Sequence, residues 1–137
     1  MREFLFRGRL LNRAAGWSFG NLVVRINGVS IITPDETVPG RYGQVDPLTV
    51  GQYTGLTDRN GVKIFEGDIL GARYDDAYPD NVTVEVVKWF GNAWCTQQGT
   101  HPPEPIEEVG ILPLSEVIGN IYDNPEFLGD GIPQGGG

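Results

Sequence analysis

The sequence predicts a mainly β protein, with an N-terminal β-hairpin or sheet arm and a C-terminal SH3-like small barrel. Three observations carry that expectation. The 137 residues include 20 glycines and 10 prolines with no collagen period, a density that suits short strands joined by tight turns. Period-two alternation of apolar and polar residues recurs along the chain, and no stretch has the pattern of a long amphipathic helix. Two Asn-Gly pairs, Asn27-Gly28 and Asn60-Gly61, sit between strand-like runs, which is a strong short-range hairpin signal.

The elements follow in order. "REFLFRGRLL" alternates, with Phe4, Phe6 and Leu10 on one face and Glu3, Arg7 and Arg9 on the other, as a strand with one wet side does. "LVVRINGVSII" reads as a hairpin closed by a type I′ turn at Asn27-Gly28. Residues 33 to 47, "TPDETVPGRYGQVDP", hold three prolines and two glycines and read as a long loop, a linker or a binding segment. "TVGQYTGL" and "VKIFEGDIL" are strand-like runs joined by "TDRNG". "VTVEVVKWF" alternates as far as Val86-Val87, where adjacent apolar residues predict a bulge or burial on both faces. "GNAWCTQQ" returns antiparallel, and a proline-rich excursion follows over residues 100 to 105. In "PLSEVIGNIYDNPEFL" a short turn precedes a strand, and Asn124-Pro125 has the form of an N-cap with proline at the first helical position. The expected organisation is an arm and loop over residues 1–47, a barrel over 48–128 and a flexible tail over 129–137.

Composition narrows the function classes. A formal net charge of −8 repels phosphate backbones and disfavours nucleic-acid binding. A single cysteine, Cys95, and a single histidine, His101, exclude an internal disulfide framework and a His/Cys metal cluster within one chain. The glycines form neither a P-loop nor a dinucleotide fingerprint, so no cofactor is expected. No run approaches the roughly 20 apolar residues of a membrane span. "MREFLFRGRLL" lacks an uninterrupted apolar h-region and a small-residue cleavage site, and it reads as the start of a mature cytoplasmic protein.

The densest signal is "VGQYTGLTDRNGVKIFEGDIL", residues 50 to 70. Asp58 is placed to accept bonds from nearby backbone N–H groups, and Gly61 and Gly67 to take positive φ. Asp68 is expected to cap backbone donors where a strand begins after a sharp Glu66-Gly67-Asp68 bend. Reading Glu66 and Asp68 as an acid pair or cation site is the weaker alternative, because further ligands are missing.

This stretch, followed by "EVIGNIYDNPEFL" and preceded by "GWSFGNLVV" and "VDPLTVGQYTGL", resembles the YopX family. The resemblance implies a two-part β protein with an SH3-like C-terminal part, encoded by phages or prophages of Gram-positive bacteria. It implies no catalytic residues.

The residues themselves support no enzyme. A Cys95–His101 dyad is conceivable, but a buried structural thiol is the simpler reading. The acidic group Asp75, Asp76 and Asp80 reads as a solvated loop before it reads as a cation site. Binding candidates are Arg41 and Tyr42 in the long loop, Tyr74 and Tyr78 beside the acidic group, and Trp89 and Trp94 in the second half, since exposed aromatics anchor recognition. The leading expectation is a non-catalytic, homo-oligomeric binding module that engages or inhibits a host protein. Residues 1 to 33 offer too few strands for a core of their own, and the loop after them is long enough for the arm to reach a second copy. The alternatives are a sponge for a small anionic, nucleotide-like molecule, using Arg7, Arg9, Arg25 or Arg41, and a nucleic-acid-binding accessory protein.

Overall fold

The computed structural model describes residues 5–12, 16–28, 30–33, 43–73, 82–106 and 112–129. The described residues form antiparallel strands and short 3₁₀ turns, in two compact units, Met1–Gly55 and Leu56–Gly137. The expected boundary near Leu48 falls inside the first unit.

In the first unit, β1 (Phe6–Arg9), β2 (Trp17–Val24), β3 (Ser30–Thr33), β4 (Gly43–Val45) and β5 (Gly51–Thr57) lie in the order β4-β3-β2-β1-β5. The long β2 serves two partners in turn. Its first half pairs with β1 from Arg9↔Trp17 to Phe6↔Gly20, and its second half with β3 from Asn21↔Thr33 to Val24↔Ser30. β4 pairs with β3 and then returns to the end of β1. Leu10 bridges Val45, Leu11 N–H donates to the Gln44 carbonyl, and Asp46 N–H donates to the Arg9 carbonyl. The sheet thereby curls around a core of Leu10, Ile32 and Val45, with Phe6, Leu22 and Val50 packed on it. Gly8 permits this curl, because a Cβ there would lie 2.8 Å from a Val45 methyl.

A 3₁₀ turn at Pro47–Thr49 pins the exit of β4. Leu48 N–H donates to Asp46 Oδ1, and the Thr49 hydroxyl donates to the Asp46 carbonyl while accepting from Arg9 N–H. Proline at the first position of such a turn forfeits a donor that would have no partner in the turn.

Three expectations are corrected here. The stretch from 33 to 47 is not all loop: Gly43–Val45 is a strand, and Val45 is buried because it completes the core. The core of the first unit thus needs Val45, beyond residue 33, beside Leu10 and Ile32. The Arg7 face of β1 is not wet: Arg7 is only 6% exposed. The Asn27-Gly28 turn is not type I′, which needs positive φ at both central residues. Gly28 N–H donates to the Arg25 carbonyl, and only Gly28, at φ +85°, is left-handed. The central residues Ile26 and Asn27 do not take positive φ, and glycine takes the left-handed position after them.

In the second unit the chain turns from β5 into β6 (Lys63–Phe65), then forms β7 (Asp68–Arg73), β8 (Val82–Phe90), β9 (Ala93–Gln97), β10 (Glu104–Pro105) and β11 (Ser115–Asn120). The last five make an antiparallel sheet of order β10-β9-β8-β7-β11. Ile64, Leu70, Ala72, Val87 and Ile106 form its core, with Leu56, Trp94, Leu112 and Val117 against it. Burying each of the large aliphatic members contributes about 1.5–3 kcal/mol. Ile69, Val86 and Cys95 are buried as well. Ile69 and Val86 are directly paired, so Val86-Val87 is buried on both faces of an unbroken register. The bulge is instead in β11, between Val117 and Gly119.

The stretch 58–68 is demanding backbone, as the sequence suggests. Asp58 Oδ1 accepts from Asn60 and Val62 N–H at 2.8 and 3.0 Å, and Oδ2 accepts from Val117 N–H at 2.8 Å. Gly61 has φ +80° and closes the turn onto the Asp58 carbonyl. Asp68 Oδ2 accepts from Phe65 N–H at 2.7 Å across the bend, and Gly67 has φ +90°. Arg59 N–H also donates to the Ser115 carbonyl, so the 58–62 turn occupies backbone groups of β11 that face away from β7. A sheet edge is thereby covered instead of left open to pairing. Asn124 precedes the final 3₁₀ turn, Pro125–Leu128, but its side chain does not cap it. Its Oδ1 turns back to accept from Asn120 N–H.

Candidate functional site

Among the sequence candidates, the structure brings Trp89 and Trp94 together at the end of the β8–β9 hairpin. The two residues are direct cross-strand partners, one step from the turn. Phe90 pairs with Ala93, leaving a two-residue loop, Gly91-Asn92, in which only Gly91 (φ +66°) is left-handed. Positive φ at the first loop position alone is the pattern of a type II′ hairpin. That tight connection sets the register, and the register places both indoles on one face of the ribbon.

The ring centroids lie 5.0 Å apart with planes at 73°, an edge-to-face pair of the kind favoured by the indole quadrupole. Trp94 packs on the core of the second unit, which anchors the pair. Trp89 is 49% exposed and Phe90, on the opposite face, 57% exposed. Trp94 Nε1 is buried with no hydrogen-bond acceptor among the described residues. Lys88, one residue back, donates to Gln97 Oε1 at 2.7 Å. The ribbon end is therefore aromatic, and its sequence from Val86 to Thr96 contains no carboxylate.

Phe90 was not among the sequence candidates. The signal for it was present: an apolar residue directly before a Gly-Asn turn sits at the rim of a hairpin, where little can cover it.

Arg41, Tyr42, Tyr74 and Tyr78, and the acids Asp75, Asp76 and Asp80, lie outside the described residues. Arg7 and Arg9 gather on Trp17, with guanidinium carbons 4.9 and 5.9 Å from the ring centroid. Trp17 is the cross-strand partner of Arg9, and Phe19 of Arg7, so alternation along β1 stacks both cations on one indole. Arg25 lies at the tip of the β2–β3 hairpin, six residues beyond Phe19 and about 20 Å along an extended chain. There Val24, Arg25, Ile26 and Asn27 line an open depression.

Cys95 is buried, and its thiol faces the carbonyls of Ala93 and Phe90 at 3.6 and 3.9 Å. His101 is exposed. Its main chain closes a turn, with its N–H donating to the Gln98 carbonyl and its carbonyl accepting from Gln97 Nε2. Among the described residues, no three His, Cys, Asp or Glu side chains are placed to hold a metal ion. No helix among them is long and apolar enough to cross a membrane.

Comparison with known proteins gives a family and a fold. The family model described as YopX protein matches residues 25–129. Among solved structures, the chain is similar to protein EF1440 from Enterococcus faecalis, at 23% sequence identity and a TM-score of 0.57, covering 93% of this chain and 99% of that one. No curated protein matches.

Proposed function

The chain belongs to the YopX family, and from that premise we propose that it is a non-catalytic binding module whose β8–β9 hairpin end engages a host protein. The observation that carries this reading is the exposure of Trp89 and Phe90 on a ribbon end anchored by Trp94. Large aromatics held rigid at a surface lose little conformational entropy on binding and commonly supply the energetic centre of an interface. In this reading the protein is encoded by a phage or prophage, acts in the cytoplasm of its bacterial host and self-associates. The exposed Val23, Val24 and Ile26 at the β2–β3 tip are the apolar surface that a second copy covers. Its acidity keeps it off nucleic acid.

The anionic-ligand alternative finds Arg7 and Arg9 side by side, but Arg7 is buried and Arg25 is at a distance. The aromatic site is the better supported.

The test is retention of a host protein from bacterial lysate by immobilised full-length chain, compared with a Trp89→Ser/Phe90→Ser double variant of equal melting temperature. Retention should be lost in the variant. Equal retention by both proteins would remove the hairpin end from the proposal.

A further inference from the structure

We infer that Asn27 is a site of spontaneous deamidation, and that the fold protects Asn60, the other asparagine followed by glycine. Asparagine is among the chemically labile side chains. The backbone nitrogen of the following residue attacks its side-chain carbonyl carbon, and glycine crowds that attack least because it has no Cβ. The inference is independent of the binding role proposed above.

Local sequence and turn geometry do not separate the two pairs. Gly28 and Gly61 have φ of +85° and +80°. Each donates its N–H to the carbonyl three residues back, Arg25 at 2.9 Å and Asp58 at 3.0 Å. A Cβ built on either glycine would meet nothing within 4 Å. Asn27 and Asn60 are both exposed to the water that completes the reaction.

Their surroundings do separate them. To present its nitrogen to the side chain, a glycine must leave its turn bond while the peptide before it rotates. At Gly61 that rotation works against a clamp. Asp58 Oδ1 holds the N–H groups of Asn60 and Val62, on both sides of the attacking nitrogen. Asp58 N–H donates to the Val62 carbonyl. The turn is also tied to β11, by Val117 N–H on Asp58 Oδ2 and by Arg59 N–H on the Ser115 carbonyl. The same carboxylate places negative charge beside a nitrogen that must lose its proton before it attacks, and so opposes that loss. At the β2–β3 tip, every residue from Arg25 to Gly28 is exposed. The charged residue lining the same open depression as Asn27 is Arg25, and a cation there favours the deprotonated nitrogen and the anionic adduct.

The chemistry balances without an oxidant or a cofactor. The Gly28 nitrogen gives its proton to a base in solution and bonds to Asn27 Cγ. The bond from Cγ to the side-chain nitrogen then breaks, and ammonia leaves with a proton. Water opens the resulting succinimide, at Cγ to give aspartate or at the main-chain carbonyl to give isoaspartate. In sum, water is consumed and ammonia released. The product carries a new carboxylate on a tip that exposes Val23, Val24 and Ile26.

The experiment holds dilute full-length protein, folded or unfolded in guanidinium, in mildly alkaline buffer at physiological temperature. Trypsin places the two pairs on separate peptides, Ile26–Arg41 and Asn60–Lys63, and mass spectrometry follows the exchange of NH₂ for OH in each. Labelling by an isoaspartyl methyltransferase reads the isoaspartate independently. In the unfolded chain the two asparagines should convert at similar rates. In the folded chain Asn60 should convert at least about tenfold more slowly than Asn27, because charge-assisted bonds must open first. Asp58→Ala should speed conversion of Asn60 and leave Asn27 unchanged. Equal rates in the folded parent chain would overturn the inference. So would an Asn27 that stays intact there while the unfolded chain converts, or an Asn60 rate that Asp58→Ala does not raise.

Discussion

Removing the Asp58 carboxylate should unfold the second unit at markedly lower denaturant. Asp58 is 6% exposed and ties three backbone N–H groups far apart in sequence: Asn60, Val62 and Val117. In Asp58→Ala the first two donors are exposed and regain water, at a loss of about 0.5–1 kcal/mol each. The Val117 donor is partly buried against the core and loses a charge-assisted bond worth about 2 kcal/mol. The sum is about 3–4 kcal/mol, a large part of the 5–15 kcal/mol typical of a domain. Asp58→Asn keeps the shape and two acceptor lone pairs, but turns an NH₂ toward either the turn or Val117, so it should fall between. Urea titration in the Trp17→Phe background follows the second unit alone. With a slope near 1 kcal/mol/M, the Ala midpoint should drop by roughly 3 M. An Ala variant within 1 kcal/mol of the parent would show that water replaces the carboxylate without loss and would refute this account of the turn.

Other outcomes follow from the same geometry. Gly61→Val should cost about 1–2 kcal/mol through φ alone, because a Cβ there meets open space; a thermal melt reads it, and unchanged stability would contradict the turn assignment. Gly119→Ala should destabilise by about 1–3 kcal/mol, because its Cβ would overlap Asn124 Oδ1. A double-mutant cycle with Asn124→Ala should show coupling above about 0.5 kcal/mol, and strict additivity would argue against the contact. Light scattering should give a mass above 15.0 kDa for the full chain and a smaller one for Ile26→Ser. A monomer at high micromolar concentration would end the self-association proposal. A broad hydrolase, transferase and nuclease panel, with and without divalent metals, should show no turnover. Activity abolished by Cys95→Ala would overturn the non-catalytic reading.

The second half of the molecule was more legible in the sequence than the first, for physical reasons. Its strands alternate over long stretches, and its turns carry residues whose local chemistry admits few solutions: Asp58 with Gly61, and Gly67 with Asp68. In the first half, Arg7 alternated as a polar residue should on a wet face. Its burial depends on a cross-strand indole whose pairing no local pattern encodes. Gly43–Val45 is too short and too rich in glycine to signal a strand, and only its pairing with β3, three partners far back in the chain, makes it one. At the candidate site, the two tryptophans were visible as residue types. Their meeting follows from the two-residue turn at Gly91-Asn92, which the sequence showed only as a turn.

The pairing of β3 with β4 also bears on how this chain can be altered. Ile32 and Gly43 are held opposite one another by the ladder, one strand spacing apart whatever joins them. By loop-closure entropy alone, doubling the length of chain that joins two paired strands costs only about 0.6 kcal/mol. A reporter peptide or affinity tag spliced between Thr33 and Gly43 should be carried without loss of the sheet.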